Sequence, residues 1–359
     1  MGGSAAERRD ALVEKLFLAT IGAFDLAGVY LGERLGLYRA LAERGPMTAV
    51  ELAREAGIDE RYAREWLEQQ AASSILEAEH GGEGWRFRLP EGHDEALVDS
   101  SSLNYVTPFS MLMVACLRPI DALMEAYRSG GGVPFAEYGA DLHEGQGAFT
   151  RPMFAQLLTT EWLPSMPEVH ERLLAQPPAR VADVACGLGW SSIALARGYP
   201  EARVDGIDLD EASIEAAERN LPGSGVEDLV TFLCGDAGDP QLMETYDFVT
   251  MFESLHDMSY PVDVLRACRG LLADGGAVLV GDELTADAFG PNASELERLY
   301  YGFSILHCLP VGMIGEGAAG TGTVMRRSTV EEYARSAGFA HFEVAPIEND
   351  FWRFYVLRP

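Results

Sequence analysis

The sequence predicts an α/β protein: a mostly parallel seven-stranded sheet with an antiparallel last strand, preceded by a smaller helical domain. Three observations carry that prediction. An apolar strand at residues 181–184 runs through a turn holding Gly187 and Gly189 into an Ala-rich helix, the form of a parallel strand whose carboxyl end meets a ligand at a helix N-terminus. Further apolar strands at 204–208, 229–237, 246–258 and 277–284 alternate with helical segments, as repeated βα units require. The first hundred residues, by contrast, are rich in helical periodicity and end in a hairpin pattern.

Residues 1–99 read as a domain of their own. Residues 14–42 have helical periodicity and stop near Gly45-Pro46. Thr48 with Glu51 forms a capping box that opens a short helix, and Asp59 caps a second over 60–73. Residues 74–79, the turn Gly81-Gly82-Glu83-Gly84 and residues 85–90 then form a hairpin. Helix, turn, helix and hairpin make a winged helix. Reading DNA would require cations aimed at phosphates, but the second helix sets Arg61 and Arg64 against Glu60, Glu65 and Glu68. Residues 100–176 follow as helical runs at 110–117, 119–127 and 152–166 around a glycine-rich loop at 129–147. They read as a bridge that roofs the site built by residues 177–359.

In that C-terminal part, Asp208 ends a strand twenty-one residues beyond Gly187, where its carboxylate can accept hydrogen bonds from ribose hydroxyls. Asp236 ends the next strand, within reach of an adenine amino group. A helix at 261–272, the turn Asp274-Gly275-Gly276, a helix at 329–337 and two strands at 341–347 and 351–359 complete the order. This series resembles the class I S-adenosylmethionine-dependent methyltransferases, a Rossmann-like fold. The resemblance implies S-adenosyl-L-methionine as donor, met by Asp183, Ala185, Gly187, Gly189, Asp208, Leu209, Asp236, Ala237 and Phe252. Ala185 stands where that family usually has its first glycine. A nicotinamide-binding domain is the competing reading, but the loop lacks GxGxxG spacing because Ser192 fills the last slot. Small-molecule methyltransferases of this type carry a similar winged helix, and by that resemblance the apolar first helix pairs two subunits into a homodimer. A helical cap packed within one chain is the alternative.

The acceptor must be argued from residues at the donor's reactive end. The fourth strand ends in Leu255-His256-Asp257-Met258, at the sheet edge where acceptors bind. In related O-methyltransferases a histidine in a similar segment is the general base, and an imidazole suits that work near neutrality. An insertion at 287–327 carries His307 near the end of an apolar helical stretch at 294–313. Taken alone, a histidine there is either a satisfied core residue or a ligand. With His256 and Asp257 it resembles a group of metal-dependent α-keto acid C-methyltransferases. That resemblance implies one ion, iron or zinc, held by His256, His307 and Asp257, and chelation of an α-keto acid that acidifies its β-carbon. His256 and Asp257 are thus the catalytic candidates. Arg128 and Arg151 could clamp a carboxylate, Glu253 could meet a cationic tail, and Tyr301, with Tyr300 and Phe303, could shape the pocket. A metal-free O- or N-methyltransferase and a non-catalytic donor-binding regulator remain the rival readings.

Composition narrows the partners. Lys and Arg total 27 against 56 Asp and Glu, a formal charge of −29, which repels nucleic-acid backbones and anionic membranes. Five cysteines without a CxxC pair point to a reducing cytoplasm. No apolar signal core opens the chain, Ala6 breaks the myristoylation pattern that Gly2 would begin, and Asp25 interrupts the most apolar early stretch. A small-molecule acceptor, without nucleic acid or membrane, is therefore expected.

Overall fold

The computed structural model describes residues 3–82, 84–243 and 245–359. Met1 and Gly2, where a lipidation pattern would start, and Glu83 of the hairpin turn lie outside the described residues. The chain divides into two compact units, one of Met1–Val114 with Glu144–Pro152, the other of Ala115–His143 with Met153–Pro359.

The first unit begins with helix α1 (Ala5–Arg34), opened by a capping box between Ser4 and Glu7. The single helix expected over 14–42 is broken: Gly36, at φ +68°, separates α1 from α2 (Leu37–Arg44), a left-handed turn that favours glycine. Helices α3 (Ala49–Ala56) and α4 (Glu60–Ala72) carry the predicted Thr48 and Asp59 caps. Strands β1 (Glu77–Gly81) and β2 (Gly84–Arg88) form the antiparallel wing. Leu41, Leu52, Trp66, Leu67 and Phe87 pack into one core, with Tyr38 edge-on to Trp66. The end of α1 joins that core through glycine, since a Cβ on Gly32 would stand 2.4 Å from the Tyr38 ring. Its earlier turns do not: Leu16, Phe17 and Phe24 are 58%, 65% and 69% exposed.

The second unit is built on a seven-stranded sheet of order β5-β4-β3-β6-β7-β9-β8. Strands β3 (Arg180–Val184), β4 (Arg203–Asp208), β5 (Val230–Cys234), β6 (Tyr246–Phe252) and β7 (Leu272–Glu283) are parallel. Strand β9 (Trp352–Arg358) runs antiparallel to both β7 and β8 (His341–Val344), as the sequence predicts. The Asp274-Gly275-Gly276 turn is absorbed into β7 as an irregularity in its pairing with β6, because Leu272 already pairs with Tyr246. The order reverses beside β3, so the carboxyl ends of β3, β4 and β6 open on one crevice, where such sheets bind ligands. The insertion is less regular than one helix: Glu295–Phe303 is α-helical, Ser304–Cys308 widens into a π-helix, and Leu309–Gly312 closes with an α-turn. Single π-turns gather at functional sites, and this one carries His307.

Candidate active site

The loop after β3 is shaped by three left-handed residues, Ala185 (φ +56°), Gly187 (φ +51°) and Gly189 (φ +76°). The two glycines serve different ends. A Cβ on Gly189 would lie 2.4 Å from Phe232 and 3.0 Å from Ala217, so this glycine lets the loop pack on its neighbours, whereas Gly187 faces open space. Ala185 takes the same left-handed backbone without a glycine's freedom, a strain that persists where the surroundings fix it. Asp183 is consumed internally: its buried carboxylate accepts hydrogen bonds from Ser191 and Ser192 at 2.6 Å and from Thr250 at 2.8 Å. It braces the loop.

Asp208 accepts the Gly187 N–H at 2.8 Å and the Asp210 N–H at 2.9 Å, which fixes its carboxylate against the glycine loop. Burial pushes its carboxyl above the usual range. Leu209 beside it is exposed, and so is Asp236, whose side chain accepts the Gly238 N–H at 2.7 Å. Ala237 lies in the core beneath. Phe252 turns its ring inward, stacked on Trp352. The open side of Gly187, with Asp208 aimed at the loop, fits a ribose-bearing donor.

On the acceptor side, β6 ends in a kink. Glu253 has φ +51° and donates its N–H to Gly281 at 2.7 Å, and the short 3₁₀ turn Leu255–Asp257 follows. The end of the insertion clamps this turn, with Gly322 N–H donating to the His256 carbonyl at 2.9 Å and Ala319 N–H to Ser259 at 2.8 Å. His256 is buried, and its Nδ1 lies 2.9 Å from both Asp282 Oδ1 and Glu283 Oε2 at the end of β7. One N–H cannot serve both; the hydrogen bond runs to Asp282, which also accepts the Glu283 N–H. Burial works against charge on His256, but the two carboxylates outweigh it and raise its proton affinity well above the ordinary imidazole value. Burial raises the Glu283 carboxyl well above its usual range. Asp282 is held below its own, His256 overcoming the burial. The raised imidazole and the lowered Asp282 mark these two as an ion pair, with Glu283 adding to the negative field on His256.

His307 is buried in the π-helical part of the insertion. Its Nδ1 lies 3.3 Å from Cys308 Sγ, its ring stands edge-on to Tyr138, and its Nε2 has no hydrogen-bond partner among the described residues. Burial, then the charge of nearby His256, pushes its pKa down to about 3, so the ring is neutral. Asp257 is pushed up to about 6, mainly by burial. The grouping implied by the resemblance is not formed: among the described residues the sole set of three metal-capable side chains within 4.8 Å of one another is His256, Asp282 and Glu283. Asp282 and Glu283 from β7 occupy the place expected of Asp257.

The other candidates scatter. Arg128 is 68% exposed and pairs with Glu125 one helical turn back, facing solvent rather than the pocket. Arg151 is exposed on the first unit. Tyr301 accepts a hydrogen bond from Arg326, which pairs with Glu297, so it is tied into the insertion's own scaffold. Tyr300 is the tyrosine near the acids: burial raises its pKa, and Glu283, Glu253 and Asp282 add to it. Asp282 and Glu283 are site residues that the resemblance does not imply; their signal in the sequence is a pair of acids ending a central strand.

Residues 181–276 match a family model described as a methyltransferase domain, and residues 26–98 one described as an Rv2258c-like winged HTH domain. The ubiquinone biosynthesis O-methyltransferase of Stutzerimonas stutzeri is 38% identical over 100 residues, which are 28% of this chain and 42% of that protein. The chain thus spans under half the length of the curated relatives it matches. Among solved structures, the mitomycin 7-O-methyltransferase MmcR has a TM-score of 0.71 at 17% identity, covering 99% of this chain and all of that one. Human N-acetylserotonin methyltransferase in complex with SAM has a TM-score of 0.69 at 19% identity, covering 100% of this chain and 99% of that one. These matches show a methyltransferase domain at residues 181–276 and a winged HTH domain at 26–98, and with the sheet order and the glycine loop they give the chain the fold of the class I S-adenosylmethionine-dependent methyltransferases.

Proposed function

We propose that the protein methylates a small molecule, with His256 as the base that takes the acceptor's proton. The observation that carries this reading is the buried Asp282–His256 pair at the carboxyl end of β6. A carboxylate on Nδ1 fixes the tautomer, and Nε2, which neighbours the Cys308 thiol, is the atom that would meet an acceptor hydroxyl or amine in place of that thiol. S-adenosylmethionine supplies an electrophilic methyl on a sulfonium. The chain's own part is to seat the donor on Gly187 and Asp208, to exclude water with the insertion, and to hold the acceptor's proton on His256. Because the resting imidazole is protonated, turnover should rise on the alkaline side. The names of the relatives, acting on ubiquinone precursors and on mitomycin, agree with an oxygen acceptor.

A second reading, β-carbon methylation of a metal-chelated α-keto acid, rests on one observation: the buried, neutral, unpartnered Nε2 of His307. An iron or zinc ion would be held there with His256 and would lend Lewis acidity to a chelated carbonyl. The donor set suits such an ion in type, but the third ligand is not in place. Transfer of labelled methyl from S-adenosylmethionine into panels of phenols, amines and α-keto acids, with elemental analysis of the same preparation, separates the readings. Label in a phenol or amine with no bound metal supports the first, label in a keto acid with near-stoichiometric metal supports the second, and transfer to none overturns both. The exposed apolar face of α1 supports a homodimer joined through the first unit.

A further inference from the structure

We infer that His143 is a donor-binding residue that hydrogen-bonds the ribose held by Asp208; this rests on the methyl-donor reading above. His143 sits in the first turn of the helix Ala140–Met153, far in sequence from the glycine loop. Its Nδ1 is 3.2 Å from Ser213 Oγ and 3.6 Å from Asp210 Oδ2. Asp210 in turn donates its N–H to Asp208 at 2.9 Å and caps the helix Glu211–Asn220 by accepting the Ser213 N–H at 2.8 Å. Imidazole, ribose-binding carboxylate and helix cap therefore share one turn.

The ring is held firmly. Phe135 packs edge-on at 4.7 Å. The strap that carries both residues is latched to the insertion, by Val133 N–H donating to the Pro310 carbonyl at 3.0 Å and Tyr138 O–H donating to Leu306 at 2.8 Å. Nδ1 is engaged by Ser213 and Asp210, so Nε2 is the ring atom left to meet a ligand. A ribose diol complements both groups: its hydroxyls donate to Asp208 and can exchange a further hydrogen bond with Nε2 of His143. The side chain is 15% exposed, enough to reach a ligand and little enough for the bond to count.

The test is calorimetric binding of S-adenosylhomocysteine and of 5′-methylthioadenosine, which keeps ribose and adenine but lacks the amino-acid end, to the wild type, His143→Phe and His143→Gln. Phenylalanine keeps the ring volume and its packing on Phe135; glutamine keeps a donor. His143→Phe should weaken both ligands about tenfold, a loss of one good hydrogen bond, and His143→Gln should recover most of it, with thermal unfolding of each variant as the folding check. Unchanged affinity in a folded His143→Phe overturns the inference. So does a loss confined to S-adenosylhomocysteine, which would move the contact to the amino-acid end. Wild-type protein that binds neither ligand removes the donor reading itself, an outcome distinct from both.

Discussion

Replacing Asp282 by Asn or Glu283 by Gln should each lower the proton affinity of His256. Both carboxylates lie 2.9 Å from Nδ1 and both raise it. At 2.9 Å and an effective dielectric constant of ~20, one ion pair contributes about 6 kcal/mol before burial is charged against it. If burial cancels three quarters of that, about 1.4 kcal/mol survives, a tenfold change in proton affinity. The imidazole titration should therefore move down by at least about one pH unit in Asp282→Asn. Glutamine keeps the shape of glutamate without its charge, so Glu283→Gln should also titrate lower than the wild type. The assay is ring-nitrogen NMR of labelled histidine, with His256 picked out from the seven histidines by its loss in His256→Asn. It needs no knowledge of the acceptor. An imidazole titration unmoved in both variants would refute the reasoning.

The same pair sets a stability window. His256 is raised in the folded state, so its contribution is complete below its unfolded value of 6.5 and is lost as pH rises through the folded one. Asp282 is lowered, so its contribution is present above 3.8 and lost on acidification. The melting-temperature deficit of Asp282→Asn should be greatest between those limits. Gly189→Ala must shift Phe232 and accept φ +76°, costing about 2–4 kcal/mol. A calorimetric scan should show a drop of several degrees, while Ala185→Gly, which relieves φ +56°, should melt near the wild type. His307→Leu removes an unpartnered buried nitrogen and should raise the melting temperature of metal-free protein by about 1 kcal/mol equivalent; a fall would show that the imidazole has a structural partner. Glutamate at Leu16, Phe17 and Phe24 together should convert a dimer to monomer in light scattering, and an unchanged mass would reject α1 as the joint.

Much of the fold was legible because it is local. Caps at Thr48 and Asp59 follow from side-chain chemistry within four residues, and the alternating strands follow from apolar runs that only a sheet covered on both faces can bury. What escaped was conformation without a side-chain signature. Nothing in residues 304–308 announces a π-helix, since the extra residue per turn is imposed by packing, here with Tyr127 and Tyr138 donating to the carbonyls of Ile305 and Leu306. Gly36 was a visible breaker, but glycine inside a periodic helix is tolerated often enough to be passed over.

The site divides along the same line. Asp208 and the glycine loop are fixed by their neighbours in sequence, and they were found. The partner of His256 depends on which strand lies beside β6, and that strand is β7, twenty-six residues away in chain order. From sequence, Asp257 was the near acid and so the natural choice; in the fold, a 3₁₀ turn sends adjacent side chains in different directions, while parallel pairing brings the ends of β6 and β7 level. Phe252 pairs with Gly281, so the next residues of β7, Asp282 and Glu283, must flank whatever follows β6. Sheet adjacency thus decides the chemistry: a histidine one residue earlier or later on the turn would lose its carboxylates, and with them both its fixed tautomer and the excess of negative charge that favours a proton or a cation at this spot.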